Sequence, residues 1–229
     1  MVGSDPSLTA ARTTVPPPRR PLDQVNPDDP RNPGDRLRRW YEDELGWATV
    51  PPEPTDPMPL ADPMDPGRPA RPDSPLRLRV GERFDVLDVP AEAGRAALRH
   101  LVPGSPVALQ GDRMRLLVAA GGAEELPGLL DWLEWRALAL DLTVIGEGGR
   151  MDAPLLPERV PVRADALQGA AVWLRPPEPG CEVEASLPTL SAMGSLGGAP
   201  DLVRLVDTVA TQCHRLRLGR ACARPPSFP

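Results

Sequence analysis

Leu37, Trp40, Tyr41 and Leu45 recur at helical spacing after Asp35, a residue suited to cap a helix, and Gly46 is suited to end it. Trp47-Ala48-Thr49-Val50 then reads as a short strand. The ordered heart begins near Leu76. Arg83 to Val89 has strand character and Pro90 closes it, after which Ala91 to Leu101 reads as a helix with Ala97, Leu98 and Leu101 on its apolar side. Val107 to Gln110 and Met114 to Ala119 flank Gly111-Asp112 and predict a hairpin. A second helix is expected from Ala123 to Trp135, a strand from Leu138 to Ile145, and a tight turn at Gly146-Glu147-Gly148-Gly149. A short extended piece (Arg150 to Ala153), a strand near Ala170 to Leu174 and a last helix from Asp201 to Leu218 follow. That helix carries Leu202, Leu205, Val206, Val209, Cys213 and Leu216 on one stripe. Strand, helix, hairpin, helix, strand is an α+β order, with helices packed on a largely antiparallel sheet.

Composition changes the picture at the two ends. The chain has 229 residues with 33 prolines and 20 glycines, and 18 of those prolines fall within the first 75 residues. Residues 1–34, with Val15-Pro16-Pro17-Pro18-Arg19-Arg20-Pro21, are therefore expected to form a disordered proline-rich tail. Residues 51–75 are expected to form an irregular proline-rich excursion from a domain spanning 35–218, and 219–229 a flexible C-terminal tail. A polyproline helix at residues 16–18 is something a partner can read.

All 26 basic residues are Arg, which excludes Schiff-base, P-loop-lysine and lysine general-base chemistry. The formal charge of −6 argues against an electrostatic nucleic-acid binder, and only the far end, with Arg215, Arg217, Arg220 and Arg224, is basic. Three cysteines without a CxxC pair suit a reducing compartment. No apolar run approaches the ~18–20 residues that span a bilayer, and the N-terminus lacks the order of a signal peptide. A cytoplasmic protein with no membrane partner is expected.

Few residues carry recognisable chemistry. Asp85 and Asp88 are three apart on one strand and so point to opposite faces, whereas two carboxylates that share a metal need a spacing of two. One solvated Asp and one at a strand end is the plain expectation. Arg113 and Arg115 beside the hairpin turn are able to meet a phosphate, although an exposed basic turn is the commoner outcome. The turn at 146–149 is followed by no helix pattern, so the dinucleotide fingerprint fails. His100 and His214 have no second ligand at metal spacing, Gly-x-Ser-x-Gly is absent, and Trp132 and Trp135 read as core.

From about Asp35 to Pro177 the order of segments resembles the bifunctional DNA primase/polymerase N-terminal (prim-pol) domains of the archaeo-eukaryotic primase superfamily. It looks especially like the short stand-alone versions of filamentous actinobacteria. Four stretches carry the resemblance: a helix running into Gly46-Trp47-Ala48-Thr49-Val50-Pro51; Phe84-Asp85-Val86-Leu87-Asp88-Val89-Pro90 followed by Gly94; Gly111 to Val118; and Leu140-Asp141-Leu142 with Gly148-Gly149, Ala153-Pro154 and Trp173 downstream. The resemblance implies an RRM-like core of the primase/polymerase type. In active members paired acids bind the divalent ions, a histidine contacts the incoming triphosphate, and a third motif supplies another acid.

By that resemblance Asp88 stands at the first acid and Asp141 at the third motif, as remnant catalytic positions, with Arg113 and Arg115 near the former triphosphate site. Pro90 replaces the second acid, Met114 falls where the histidine is expected, and Thr143 where an Arg often follows the third acid. Glu92 is the one nearby carboxylate that a bent turn would bring in. These departures imply a catalytically degenerate protein, holding no metal, that acts as a binding or regulatory module. Its partner would be a protein, a nucleotide or single-stranded nucleic acid. Two alternatives stay open. One is an active nucleotidyltransferase using Asp88 and Asp141 with Mg²⁺ or Mn²⁺; the other is an interaction scaffold built on the proline-rich front.

Overall fold

A computed structural model describes residues 33–50, 76–156, 169–190 and 200–223. The expected tail before residue 33 and the expected excursion at 51–75 lie outside the described residues. The first helix, α1 (Pro33–Arg39), starts two residues before Asp35 and continues as a π-helical turn, Trp40–Glu44, before β1 (Thr49–Val50). The elements after it are β2 (Arg77–Arg79), β3 (Phe84–Pro90), α2 (Ala91–Ala97), β4 (Val107–Gln110), β5 (Arg113–Ala119), α3 (Gly122–Trp132), β6 (Thr143–Ile145), β7 (Arg150–Asp152), β8 (Ala171–Arg175) and α4 (Leu202–Ala223).

The protein is α+β, with two antiparallel sheets and helices packed on them. The larger sheet has the order β6-β3-β5-β4-β8 and the smaller β1-β2-β7. β3, α2, β4, β5, α3 and β6 thus run strand–helix–strand–strand–helix–strand, with the fourth strand beside the first and the third between first and second. β8 extends this sheet beyond β4.

Every residue of the central strand β3 is buried, because both of its faces are covered. Leu87 and Val89, with Met114, Leu116 and Val118 of β5, pack against α2, α3 and α4. The expected stripe of α4, from Leu202 to Cys213, joins this core and packs against α2. Phe84, Val86 and Leu117 face the other way, into a second core with Tyr41, Trp47, Leu78, Met151 and Trp173. There the Tyr41 hydroxyl donates to the Pro154 carbonyl at 2.7 Å and accepts from the Trp173 indole at 2.9 Å. Both aromatic polar groups are thereby satisfied in an apolar setting.

The hairpin turn holds as expected, with Gly111 at φ +59° between Gln110 and Arg113, where a side chain would be disfavoured. Three expectations are corrected. α3 stops at Trp132, whose side chain is 72% exposed rather than core; Trp135 lies beyond it, half-buried, with its indole donating to Asp207 at 3.0 Å. The strand expected from Leu138 is ladder only at Thr143–Ile145. The last helix runs to Ala223, so residues 219–223, expected as flexible tail, are helical. No helix among the described residues is long and apolar enough to cross a membrane.

Candidate functional site

The alternation of β3 sends Asp85 and Asp88 to opposite faces, as their spacing requires, yet neither is solvated. Asp85 is 1% exposed on the helix side, where its Oδ2 accepts from the Ala123 backbone N–H at 2.9 Å. A carboxylate placed at the first turn of α3 offsets the positive end of that helix. This bond ties β3 to the start of α3.

Asp88 lies on the other face, and the sheet register decides what meets it. It stands opposite Arg115 on β5 and Thr143 on β6, with Arg113 two residues along β5 on the same face. Arg113 donates from Nε to Asp88 Oδ1 at 2.6 Å and from Nη2 to the Asp88 carbonyl at 3.0 Å. Its Nη1 donates to Asp141 Oδ1, also at 2.6 Å. Arg115 Nε donates to Asp88 Oδ2 at 3.2 Å, and Arg220, from the last turns of α4, reaches Asp141 Oδ2 at 3.6 Å. All four carboxylate oxygens therefore face arginine nitrogens.

Burial works against the charge of Arg113, but its hydrogen bonds to Asp88 and Asp141 outweigh burial and hold the guanidinium above its ordinary pKa. Arg115 is more enclosed still, its side chain 14% exposed, and its Nη1 is buried without a hydrogen-bond partner. The exposed basic turn expected from sequence is thus a partly buried ion network of three guanidiniums and two carboxylates, with a formal surplus of one positive charge.

Beside it lies a cleft of about 120 Å³ lined by Pro90, Asp141, Cys213, Leu216, Arg217 and Arg220. The Cys213 thiol donates to the Asp141 carbonyl at 3.4 Å. Burial first, and the Asp141 charge second, push its pKa up to about 11, so it is a neutral thiol and no nucleophile at neutral pH. Arg217 Nη1 donates to the Ala139 carbonyl at 3.0 Å, tying the segment before β6 to α4.

The four candidate residues, Asp88, Asp141, Arg113 and Arg115, thus meet in one place. Met114 does not: it is fully buried among the helices, on the face opposite Asp88, and a Cβ added to Gly94 would fall 2.4 Å from its sulfur. The β5 residue that faces Asp88 is Arg115. Glu92 is exposed on the first turn of α2 and takes no part in these contacts. Sequence reasoning missed Arg220 and Cys213 as members. Their signal was the helical spacing Cys213, Arg217, Arg220 on one face of α4, read there only as core stripe and basic tail.

A divalent ion does not fit this donor set, since Arg113 already fills the space between the two carboxylates. Among the described residues no group of three or more His, Cys, Asp or Glu side chains is placed to hold a metal. Compared with protein-family models, curated proteins and solved structures, the chain matches none. The functional reading therefore rests on the sequence resemblance and on the site itself.

Proposed function

We propose that this chain is a prim-pol-like protein that has lost catalysis and serves as a binding or regulatory module. The observation that carries the reading is the Arg113 guanidinium lodged between Asp88 and Asp141. In a nucleotidyltransferase of this type the remnant acids would hold divalent ions; here they hold a cation of the chain's own. The strand order of the larger sheet supports the finer reading of the fold as an RRM-like core of primase/polymerase type, with β8 added at one edge. Asp88, Arg113 and Arg115 lie on the sheet face opposite the helical core, and the last turns of α4 reach Asp141 at its edge.

The ligand class follows from the charges. Three guanidiniums against two carboxylates, with a buried unpaired Nη1 on Arg115, favour an anionic group over a metal. A nucleotide phosphate or the backbone of single-stranded nucleic acid provides one; a protein partner would need a carboxylate or phosphate at the contact. Arg113 and Arg115 are the residues assigned to hold it.

The test is template-directed incorporation of labelled nucleotides by the purified chain with Mg²⁺ and with Mn²⁺. No product is expected with either ion, while a nucleoside triphosphate should bind without metal and lose affinity at least tenfold in Arg115→Ala. Incorporation that disappears in Asp88→Ala would overturn the loss of catalysis and leave an active polymerase.

A further inference from the structure

A second groove shares no lining residue with that site and has no part in the reading above. It encloses about 570 Å³ between the first helix and the segment after β8. One wall is Trp40 with Asp43 and Glu44 on the π-helical turn; the other is Pro176, Pro177 and Pro179, with Leu156 also lining it. Arg36 and Arg39 line the helix wall nearer its start, so the charge of that wall runs from basic to acidic along the chain.

An indole facing a row of prolines, with carboxylates at one end, is the chemistry that takes an extended proline-rich segment carrying arginine. Such segments enter aromatic-lined grooves with little ordering cost because the polyproline conformation is preformed. The chain holds that chemistry at Val15-Pro16-Pro17-Pro18-Arg19-Arg20-Pro21. We infer that residues 15–21 of the same chain occupy this groove, prolines against Trp40 and Arg19 and Arg20 against Asp43 and Glu44.

Two further features agree. Eleven residues separate Pro21 from Pro33, where α1 begins. They can span roughly 35–40 Å, whereas Glu44 lies only about 15 Å along the helix from Pro33. The sequence between Arg20 and Pro33 carries Asp23, Asp28 and Asp29 against one Arg31, a net acidic stretch joined directly to the helix whose first turns carry Arg36 and Arg39. The charges of tail and wall are thus complementary in order. The short tether also gives the segment a local concentration on the order of millimolar, enough to fill the groove through a weak contact.

The test uses the full chain with its five tryptophans labelled at the indole nitrogen, the Trp40 signal being assigned by Trp40→Phe. Replacing Pro16, Pro17 and Pro18 by Ser should move the Trp40 signal and leave the other four, which also shows that the fold is intact. A synthetic peptide of residues 12–24 should restore the original position in that variant, and bind the unaltered chain at least tenfold more weakly because its groove is filled. Arg19→Asp with Arg20→Asp should likewise displace the tail, and Asp43→Arg with Glu44→Arg should recapture it. An unmoved Trp40 signal would overturn the inference. So would a shift that depends on protein concentration, which assigns the groove to a second copy, or equal peptide binding to both chains.

Discussion

Replacing Arg113 by Met tests the central ion network while keeping most of the side-chain stem that packs beside it. Asp88 and Arg113 have side chains 13% and 26% exposed, so the pair is neither fully buried nor a surface ion pair. Removing one partner of a fully buried pair costs about 3–5 kcal/mol, because the other charge is left desolvated. Two features lower the figure here. Arg115 still donates to Asp88 at 3.2 Å, and Asp141, 48% exposed, returns to water at a cost of roughly 0–1 kcal/mol. The loss of Arg113 should therefore destabilise the fold by about 2–3 kcal/mol.

For a domain of this size 1 kcal/mol shifts Tm by roughly 2–4 °C, so thermal unfolding followed by circular dichroism should show a fall of roughly 5–10 °C. Asp141→Asn should cost under about 1 kcal/mol, since its carboxylate is half in water. Mn²⁺ adds a second readout. It should leave the Tm of the unaltered chain unchanged and raise that of Arg113→Met, where the two acids gain room for a cation. Arg113→Met within about 0.5 kcal/mol of the unaltered chain would refute the reasoning, because solvent would then be screening the pair.

Tyr41→Phe leaves the Pro154 carbonyl and the Trp173 indole N–H without their buried partner, and urea unfolding should register a loss of about 2–4 kcal/mol. Tyr41 is the single tyrosine, and burial raises its pKa well above 10 despite its bond to Trp173. The unfolded chain therefore loses this proton first, stability falls as pH rises through and beyond 10, and tyrosinate absorbance should appear only together with unfolding. His100, bonded to Thr208 at 2.8 Å, has its pKa lowered by burial and then by Arg99 and Arg204. Below its ordinary value of 6.5 the unfolded state binds more protons, so stability drops as pH falls through that region; His100→Gln should flatten the slope in denaturation measured from pH 7 to 5.

Much of the fold was legible because periodicity reports burial directly. The stripe of α4 and the apolar run of β3 could be read without knowing their partners. The errors show what periodicity leaves out. Leu138, Leu140 and Leu142 alternate like a strand, and Leu140 and Leu142 do pack on the helical core, but the Ala139 carbonyl is bonded by the Arg217 side chain instead of a ladder neighbour. Trp132 was assigned to the core by residue type, although it lies off the stripe of Leu126, Leu129, Leu130 and Leu133. Leu76-Arg77-Leu78-Arg79-Val80 alternates cleanly, and Arg77–Arg79 at its centre form β2.

The site was harder, because its members are joined by register and not by sequence proximity. Asp88 and Arg113 are 25 residues apart, and no local pattern announces that they meet. One constraint was nevertheless written in β5. Arg113-Met114-Arg115-Leu116 alternates charged and apolar residues, and the two-residue turn fixes Arg113 opposite Gln110. A one-residue slip of β5 would turn both guanidiniums into the apolar layer under α2 and α4, where nothing offsets the several kcal/mol of desolvation, and would turn Met114 out beside Asp88. Alternation therefore excludes Met114 from the site on its own terms, whatever position a family resemblance assigns to it. It also requires that Arg113 and Arg115 share the face of the nearest carboxylate on β3. Since Asp85 is claimed by the start of α3, that carboxylate is Asp88, and its capture by arginine follows from the pleat of two neighbouring strands.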